Sequence, residues 1–460
     1  GGMPYGLPGL TPRETDVIVR WLQAGAPADP PAPTPPRVAE RVREWEAFLN
    51  GDSNKSRLMG RYVYEHLFLA NITFSEDRGF AFRLVRSRTP PGQPVVELAT
   101  RRPFDDPGPD VPRPYYRLVP DPETRLAKTQ MPFELSAARM ARWRGWFLEP
   151  EYTVDRLPDY APEVASNPFR AFEAIPMGSR YRFLLDEAQF FVMSFIKGPV
   201  CRGQTALDVI DDRFWVFFVD PDIGAGEAAA QAVARAASAI RLPAAEGSNA
   251  SLLDWRALAA SEDAFLSRKS AEVNRRLGAE VPVDLSLVWR GDDHNSNAAL
   301  TVFRHFDSAS VVKGMVGEPP KTAWLIGYTL LERIYYLLVA GYDVWGNTVH
   351  QLQTRLFMDF MRMEGESNFL MLLPRSARMP LRDHWYRGVD EDVKSRVYGS
   401  KYRFDGETSL PYQGSDPMQQ QRQLYGLLAR HLTGVLDRRH DATAVSEDAI
   451  RAGVAALSAV

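Results

Sequence analysis

Apolar residues recur at helical spacing along much of the chain, and this pattern predicts a fold in which helices dominate. The first helix begins where Thr11 can cap, Pro12 suits the first helical position and Glu14 completes a capping box. An apolar face over residues 17–22 follows, and Gly25 is placed to end the helix. Further helices are predicted over residues 38–50, 56–74, 136–148, 185–196, 254–277, 321–341, 346–363 and 417–436.

Runs of β-branched and aromatic residues between the helices predict strands. Residues 80–120 combine such runs with many prolines, which indicates short strands joined by turns. Further strands are predicted over residues 212–220, 283–290, 299–306 and 368–374. No internal repeat is visible. The sequence therefore predicts an α+β fold class that is helix-dominated.

A proline-rich stretch, PADPPAPTPP, interrupts this pattern and predicts a stiff, extended linker over residues 28–37. The single helix before it cannot bury enough apolar surface to be stable alone. Residues 1–27 are therefore interpreted as the end of a small domain. Residues 38–460 contain no second proline spacer and are expected to form one large mixed domain.

Composition and charge narrow the function classes. The net charge is −3 and no long basic stripe occurs, so nucleic acid is not an expected partner. Cys201 is the single cysteine, which excludes an internal disulfide and a multi-cysteine metal site. The best candidate for a membrane span is residues 322–345, where Glu332 and Arg333 would each cost about 2.5–3.5 kcal/mol. This segment is interpreted as a buried helix, so no transmembrane segment is predicted.

Polar side chains inside apolar runs mark candidate sites, because burying them without partners is costly. In the stretch RYVYEHLF, Tyr62 and His66 share one helix face, while Arg61 and Glu65 share another. His66 either belongs to a functional site or is a core histidine bonded to a tyrosine, next to a surface Arg–Glu pair.

Two further groups of residues have both a functional and a structural interpretation. The turn after FIKGP presents Arg202 and Gln204, and arginine suits bidentate contact with phosphate. This turn is either a contact for an anion or lipid head group, or a structural turn. Glu332, Arg333 and His350 lie on two successive apolar helices, where such groups are either paired structurally or functional.

Arg304, His305 and Asp307 form a polar cluster at the end of a predicted strand. One interpretation is a metal site. The chain contains neither H-E-x-x-H nor a Glu-x-x-His pair, however, which argues against a hydrolytic zinc site and against a carboxylate di-iron site. A Ser-His-Asp triad also stays open, without a G-x-S-x-G elbow to support it.

Four long phrases are specific enough to be compared with known families: RYVYEHLFLANITF, FIKGPVCRGQTALDVIDDRFWVFFVDPD, ALTVFRHFDSASVVKGMVGEPPKTAW and LLERIYYLLVAGYDVWGNTVHQLQTRLFMDFMRMEGESNFLMLLP. They resemble the bacterial fatty acid cis/trans isomerase family, from about residue 38 to the C-terminal region. The resemblance implies a periplasmic enzyme with c-type haem that converts cis double bonds of membrane phospholipid acyl chains to trans under membrane stress. It implies no use of ATP or a nicotinamide, with an electrophilic haem iron weakening the π bond.

The start of the chain, MPYGLPGLTPRETDVIVRWLQAGAP, is similar to the end of a c-type cytochrome domain, where a Met-Pro loop supplies the axial sulfur. The resemblance makes Met3 the expected haem-iron ligand and residues 1–27 the C-terminal remnant of a small all-α cytochrome c-like domain. Covalent haem attachment needs C-x-x-C-H, which this sequence lacks. The sequence is therefore interpreted as a fragment without the attachment half, followed by an isomerase domain over residues 38–460.

Within this resemblance the candidate residues take expected roles. The catalytic candidates are His66, Glu65, Tyr62, Arg304, His305 and Asp307, and the substrate-binding candidates are Arg202, Gln204, Glu332, Arg333 and His350. The expected partners are phospholipid acyl chains, with peripheral membrane contact. A second function stays open: a haem-linked periplasmic protein that binds lipid or transfers electrons without isomerase turnover.

Overall fold

The computed structural model describes residues 10–27, 33–121, 131–197, 212–222, 233, 236–242, 251–277, 279–304, 309–343 and 345–439. The chain forms two compact units, residues 1–41 and residues 42–460. The described elements are mixed helices and strands, with helices predominating and two small mixed sheets, which confirms the predicted α+β class.

The smaller unit contains helix α1, Pro12–Gln23, which begins as its capping signals predict. The Glu14 N–H donates to the Thr11 hydroxyl at 3.2 Å, and the Thr11 N–H donates to the Glu14 carboxylate at 2.7 Å. The apolar side chains of α1, Trp21 among them, are exposed. Helix α2, Pro36–Leu49, begins one residue before the predicted end of the linker. The cytochrome-like origin of residues 1–27 stays a prediction.

Helix α3, Asn54–Leu67, leads into the first sheet, which contains β1 (Asn71–Phe74), β2 (Asp77–Ser87), β3 (Tyr115–Pro120) and β4 (Pro132–Leu135). The strand order is β3-β2-β1-β4, and only the pair β1–β4 is parallel. The predicted helix over residues 56–74 is wrong in its last part. There NITF is a buried strand, because it pairs on both sides with β2 and β4.

The second sheet has the same topology as the first. It contains β5 (Arg213–Phe218), β6 (Ala299–Arg304), β7 (Ala309–Lys313) and β8 (Ala323–Ile326), in the order β7-β6-β5-β8. Again the first three strands pair antiparallel, β5 with β6 and β6 with β7, and the fourth strand, β8, pairs parallel with β5. The predicted helix over residues 321–341 therefore begins too early, because Ala323–Ile326 pairs with β5.

Further helices complete the described part of the chain. They are α4 (Ala137–Phe147), α5 (Pro162–Ala165), α6 (Pro168–Ala171), α7 (Met177–Asp186), α8 (Ala188–Lys197), α9 (Leu252–Arg276), α10 (Tyr328–Arg333), α11 (Thr348–Leu370), α12 (Arg375–Trp385), α13 (Glu391–Val397) and α14 (Pro417–His431). A π-helical segment, Ile334–Ala340, continues α10 and is called the π turn below.

Two predicted strands are wrong. Residues 283–290 form a short 3₁₀ helix, Leu285–Leu287, with a single bridge between Val219 and Val288 instead of a ladder. Residues 368–374 begin inside α11 and continue as a turn. Both segments are apolar and short, and periodicity alone does not distinguish a buried helix end from a strand. The tertiary environment decided between them.

A glycine lets α3 approach the end of α2 closely. An ideal Cβ at Gly60 would lie 2.3 Å from the carbonyl oxygen of Leu49 and 3.1 Å from the Tyr116 ring. We expect Gly60→Ala to lower the free energy of unfolding by about 1–3 kcal/mol through overpacking, as measured by denaturant unfolding. This loss exceeds the gain of about 1 kcal/mol that alanine usually brings to a helix.

Gly426→Ala in α14 is the matched control for that variant. Its added Cβ meets only the flexible end of Arg430, at 3.6 Å. The control should be neutral or stabilising. If Gly60→Ala unfolded at the same denaturant concentration as Gly426→Ala, the close approach would not be real.

Candidate functional site

A fully buried polar network connects α3 to α10. The Tyr62 hydroxyl donates to Glu332 Oε2 at 2.9 Å, and His66 Nε2 lies 2.9 Å from Glu332 Oε1. His66 Nδ1 lies 2.7 Å from the backbone carbonyl oxygen of Tyr62, one helical turn earlier. All three side chains are buried. The i, i+4 spacing predicted a shared face for Tyr62 and His66, and the structure confirms it; the common partner Glu332 comes from 266 residues further along the chain.

The proton count of this network follows from its partners. A carbonyl oxygen only accepts, so His66 Nδ1 carries a proton. On the other side, one proton must lie between His66 Nε2 and Glu332 Oε1, whichever atom holds it. Both ring nitrogens of His66 are therefore engaged. Burial, followed by the nearby Glu332 carboxylate, raises the pKa of Tyr62 well above its ordinary value, so its hydroxyl keeps its proton.

Aromatic rings enclose the network. The ring of Tyr335, on the π turn, stacks on His66 with centroids 5.4 Å apart, and Phe183 meets His66 edge-on at 6.0 Å. Phe172 packs edge-on against Tyr62 at 4.9 Å. A π-helical turn is rare and occurs frequently at functional sites. The polar atoms thus lie in a buried, aromatic environment beside an irregular backbone segment.

A second buried chain of contacts begins at the neighbouring residue. Arg61 Nε donates to Glu65 at 2.8 Å, and the Tyr336 hydroxyl lies 2.6 Å from the other Glu65 oxygen. The Arg–Glu pair that could have been a surface pair is therefore buried and reaches the π turn. Burial, the largest single effect, would lower the pKa of Arg61, but the Glu65 charge, the rings of Tyr160 and Tyr336 and the hydrogen bond to Glu65 together outweigh it, so the pKa is raised.

Arg333 faces different partners from its neighbour Glu332. Its guanidinium donates to Glu262 on α9 and to Glu364 on α11, and Lys269 also pairs with Glu364. Burial raises the pKa of Glu262 more than Arg333 lowers it. For Glu364 burial acts in the same direction, but Arg333 and Lys269 together lower its pKa. This charge-balanced group is called the Arg333 network below.

His350 and Arg304 lie apart from these networks. The Asp343 N–H donates to His350 Nε2 at 3.0 Å, so His350 presents a lone pair there, and its ring stacks on Tyr342. Arg304 is the last residue of β6, where its N–H donates to the Asp212 carbonyl at 2.8 Å. The structure thus brings Tyr62, His66 and Glu332 together but gives Arg333 and His350 other partners.

Other candidates lie outside the described residues. These are Met3, Arg202, Gln204, His305 and Asp307. Their expected roles stay predictions.

The residues that the structure describes contain no cluster of side chains suited to a metal ion. No group of three or more His, Cys, Asp or Glu side chains there could hold a metal ion. Both His66 nitrogens already have partners. Cys201 alone cannot form the two thioether bonds of a C-x-x-C-H motif. The described part of the chain therefore does not fit covalent haem attachment.

Comparison with known proteins decides the family. The family model described as fatty acid cis/trans isomerase (CTI) matches residues 1–456. The chain belongs to the fatty acid cis/trans isomerase family. It is therefore an enzyme of the isomerase class, and a fatty acid substrate fits the family. No curated protein and no solved structure matches the chain.

This isomerase shows no membrane-spanning helix among its described elements, since none is both long and apolar enough. Glu332 and Arg333, whose charges argued against a span, are fully buried in protein. The prediction that this helix is a buried element of a folded domain is confirmed.

Sequence reasoning missed several partners in the isomerase core, among them Tyr336, Glu262, Lys269 and Glu364. A signal for Glu364 was present, because it interrupts the apolar run FMRMEGESNFLMLL on α11. Glu262 lies in a helix with many other polar residues, so nothing local distinguishes it from a solvent-exposed glutamate.

Proposed function

We propose that this chain converts cis double bonds in the acyl chains of membrane phospholipids to the trans form. The family match over residues 1–456 carries this proposal, because it names the reaction and the fatty acid. Isomerisation leaves the composition and the oxidation state of the acyl chain unchanged. The proposed reaction therefore consumes neither ATP nor a nicotinamide.

The chemistry requires the π bond to be weakened so that the chain can rotate about the remaining σ bond. Even the partial double bond of a peptide has a rotation barrier of about 18–20 kcal/mol, and a full C=C bond is stiffer. The double bond carries no ionisable group for the protein to hold. The contribution of the protein is therefore positioning and a water-free environment.

The Tyr62–His66–Glu332 network suits a positioning role in this proposal. Its members already satisfy one another, so none has a spare donor for the alkene. The network connects α3 to the end of α10, directly before the π turn that carries Tyr335. By fixing that turn it would set the shape of an aromatic wall. Arg304, His305 and Asp307 remain catalytic candidates, and Arg202 and Gln204 remain candidates for binding the lipid.

Haem c is the proposed cofactor, with Met3 as its iron ligand. This part of the proposal derives from the resemblance, and no role given above to the residues depends on haem. A pyridine haemochrome spectrum of the protein made from its complete gene tests it. A protein that isomerises with no haem signal would remove haem from the proposal.

A periplasmic location, peripheral contact with the membrane and a role in membrane stress complete the proposal. The substrate lies in a bilayer, and no described helix spans one. Fractionation of cells that carry the complete gene should place the protein in the periplasm. A cytoplasmic fraction would contradict this location.

Removing one hydroxyl tests the positioning role. We expect Tyr62→Phe to fold, bind lipid and isomerise with a kcat about tenfold to hundredfold lower, because a displaced wall misaligns the bond. The measurement is the trans-to-cis ratio of extracted fatty acids by gas chromatography, with KM and kcat determined separately. Tyr64→Phe, on the same helix and also buried, is the control and should keep full activity.

A purely structural role of Tyr62 would give a different result. The rate would then fall only with the folded fraction, which circular dichroism measures on the same samples. If the full-length wild type bound lipid but never changed the trans-to-cis ratio, the alternative of a lipid-binding protein without turnover would hold.

A further inference from the structure

A cleft of about 300 Å³ opens beside α3, and three arginines line it: Arg57, Arg61 and Arg113. It is called the arginine cleft here. Its apolar walls are Leu49, Val111, Pro112, Pro114, Leu157 and Pro158. The rings of Tyr116 and Tyr160 complete it. The volume is at the lower end for ligand pockets, and it equals about ten water molecules.

Arg61 lines this cleft and has one unused donor. The residue is only 5% exposed, yet its Nη2 has no hydrogen-bond partner among the described residues. The other nitrogens are engaged: Nε donates to Glu65, and Nη1 donates to the carbonyl oxygens of Pro158 at 3.0 Å and Asp159 at 3.3 Å. An unpaired charged donor in a buried position is costly. A ligand oxygen at Nη2 would remove that cost.

The guanidinium of Arg61 is also held in place before any ligand arrives. Its Cζ lies 4.0 Å from the centroid of the Tyr160 ring, a cation–π contact. Together with Glu65 and the two carbonyl oxygens, this contact fixes the plane of the group. Binding an anion there costs little additional ordering.

The other two arginines contribute charge. Arg113 Nη1 donates to Asp52 at 2.7 Å, and its Nη2 donates to the carbonyl oxygens of Asn50 and Gly51, so both Nη atoms are engaged. Arg57 is half-buried, and no hydrogen bond or ion pair links its guanidinium to another described residue. Asp159 also lines the cleft and offsets part of this charge, and its carboxylate accepts the N–H of Ala161 at 3.1 Å.

We propose that the arginine cleft binds the anionic end of an acyl lipid, with Arg61 Nη2 as the donor to a carboxylate or phosphate oxygen. Both groups offer oxygens that match a guanidinium. The apolar walls fit the first methylene groups of the chain, and the small volume leaves the rest of the chain outside. The proposal deepens the proposed function, on which it rests for the identity of the lipid.

Such a site would communicate with the buried networks. Arg61 pairs with Glu65, and Glu65 contacts Tyr336 on the π turn. An anion bound beside Arg61 would interact with the same guanidinium charge that Glu65 now neutralises. The cleft and the π turn are thus connected by two hydrogen bonds.

Binding without turnover tests the proposal. The probes for the complete protein are oleate, oleyl alcohol, inorganic phosphate, and vesicles of phosphatidylglycerol or phosphatidylcholine. We expect oleate or phosphatidylglycerol to bind at least tenfold more tightly than oleyl alcohol or phosphatidylcholine. Preference for oleate identifies a carboxylate, and preference for phosphatidylglycerol identifies an exposed phosphate.

Two variants locate the binding. Arg57→Gln removes one charge from a half-buried position, and the double variant Arg61→Gln/Glu65→Gln removes the donor without leaving a lone buried carboxylate. Each should weaken binding of the preferred anion about tenfold to hundredfold, the usual range for a hydrogen bond to a charged group. Exposed Arg387→Gln, the control, should bind as the wild type does.

Several results would overturn the proposal. It fails if oleyl alcohol binds as tightly as oleate, or if both variants keep wild-type affinity while circular dichroism shows them folded. If inorganic phosphate bound as tightly as the lipids, the acyl chain would make no contribution to binding, and that part of the proposal would be wrong. Failure of the cleft is distinguishable from failure of the proposed function. If the wild type isomerises but the variants bind lipid as tightly as the wild type, only the cleft proposal is refuted. If the protein binds oleate through the cleft but does not isomerise it, only the proposed reaction is refuted.

Discussion

Replacing Arg333 by methionine is expected to destabilise the protein strongly. The substitution leaves Glu262 and Glu364 buried, with Lys269 as their remaining cation. Removing one partner of a buried ion pair typically costs about 3–5 kcal/mol. For a unit of this size, an unfolding entropy of about 2.1 cal/mol/K per residue converts that loss to about 3–6 °C in melting temperature. Differential scanning fluorimetry measures the shift.

A second substitution shows that charge balance is the cause. Arg333→Met/Glu262→Gln restores neutrality, because Lys269 and Glu364 still pair. We expect the double variant to recover a large part of the lost melting temperature. Arg275→Met is the control: Arg275 also pairs with two glutamates, Glu272 and Glu280, but is more than half exposed, so no change is expected.

The Arg333→Met variant should also depend on pH. The pKa of Glu262 is already raised by burial in the wild type, and the variant removes the cation that lowers it. The folded variant then binds a proton that the unfolded chain does not, so its stability falls as pH rises. Its deficit should be smaller at pH 5 than at pH 8. A deficit independent of pH, or a double variant less stable than Arg333→Met, would contradict this explanation.

Replacing Glu332 by alanine is the second large effect that we expect. It removes the common partner of Tyr62 and His66, both fully buried, and leaves the Tyr62 hydroxyl and His66 Nε2 without that partner. The cost of each unsatisfied group is about 1–3 kcal/mol, and the cavity adds to it. The melting temperature should fall about as much as in Arg333→Met.

Glu332→Gln separates the hydrogen bonds from the charge. The amide oxygen can accept from Tyr62, and the amide nitrogen can donate to His66 Nε2 when the proton of His66 is on Nδ1. This variant should therefore retain most of the melting temperature lost in Glu332→Ala. Glu391→Ala, at an exposed pair with Lys394, is the control and should melt as the wild type does. Equal losses in the alanine and glutamine variants would mean that hydrogen-bond geometry is not the cause.

Local signals in the sequence were sufficient where their cause is local. The capping box at Thr11 and Glu14 forms as predicted, because both partners lie within one helical turn. The buried strand β5 was also found, since its run of aromatic and β-branched residues leaves few alternatives. The prediction from the charges of Glu332 and Arg333 that their helix is buried inside a folded domain was also correct.

Short apolar segments required the tertiary structure. NITF and AWLI continue or precede apolar helices in the sequence, yet both are strands, β1 and β8. Each lies next to a partner from elsewhere in the chain, and that pairing satisfies backbone groups that a helix would have satisfied internally. Whether such a segment becomes a helix or a strand depends on which strand edge lies beside it in the folded protein. The local sequence pattern carries no information about that neighbour.

The sequence by itself determined the α+β class, the i, i+4 pairs on α3 and the family resemblance that the match over residues 1–456 confirmed. Only the tertiary structure decided which buried polar groups are partners. Glu332 and Arg333 are neighbours in sequence, but successive helical residues point about 100° apart. One therefore meets α3 and the other meets α9 and α11. The physical reason is that a buried charge is satisfied by whichever element packs against its face, and packing is settled by the whole chain.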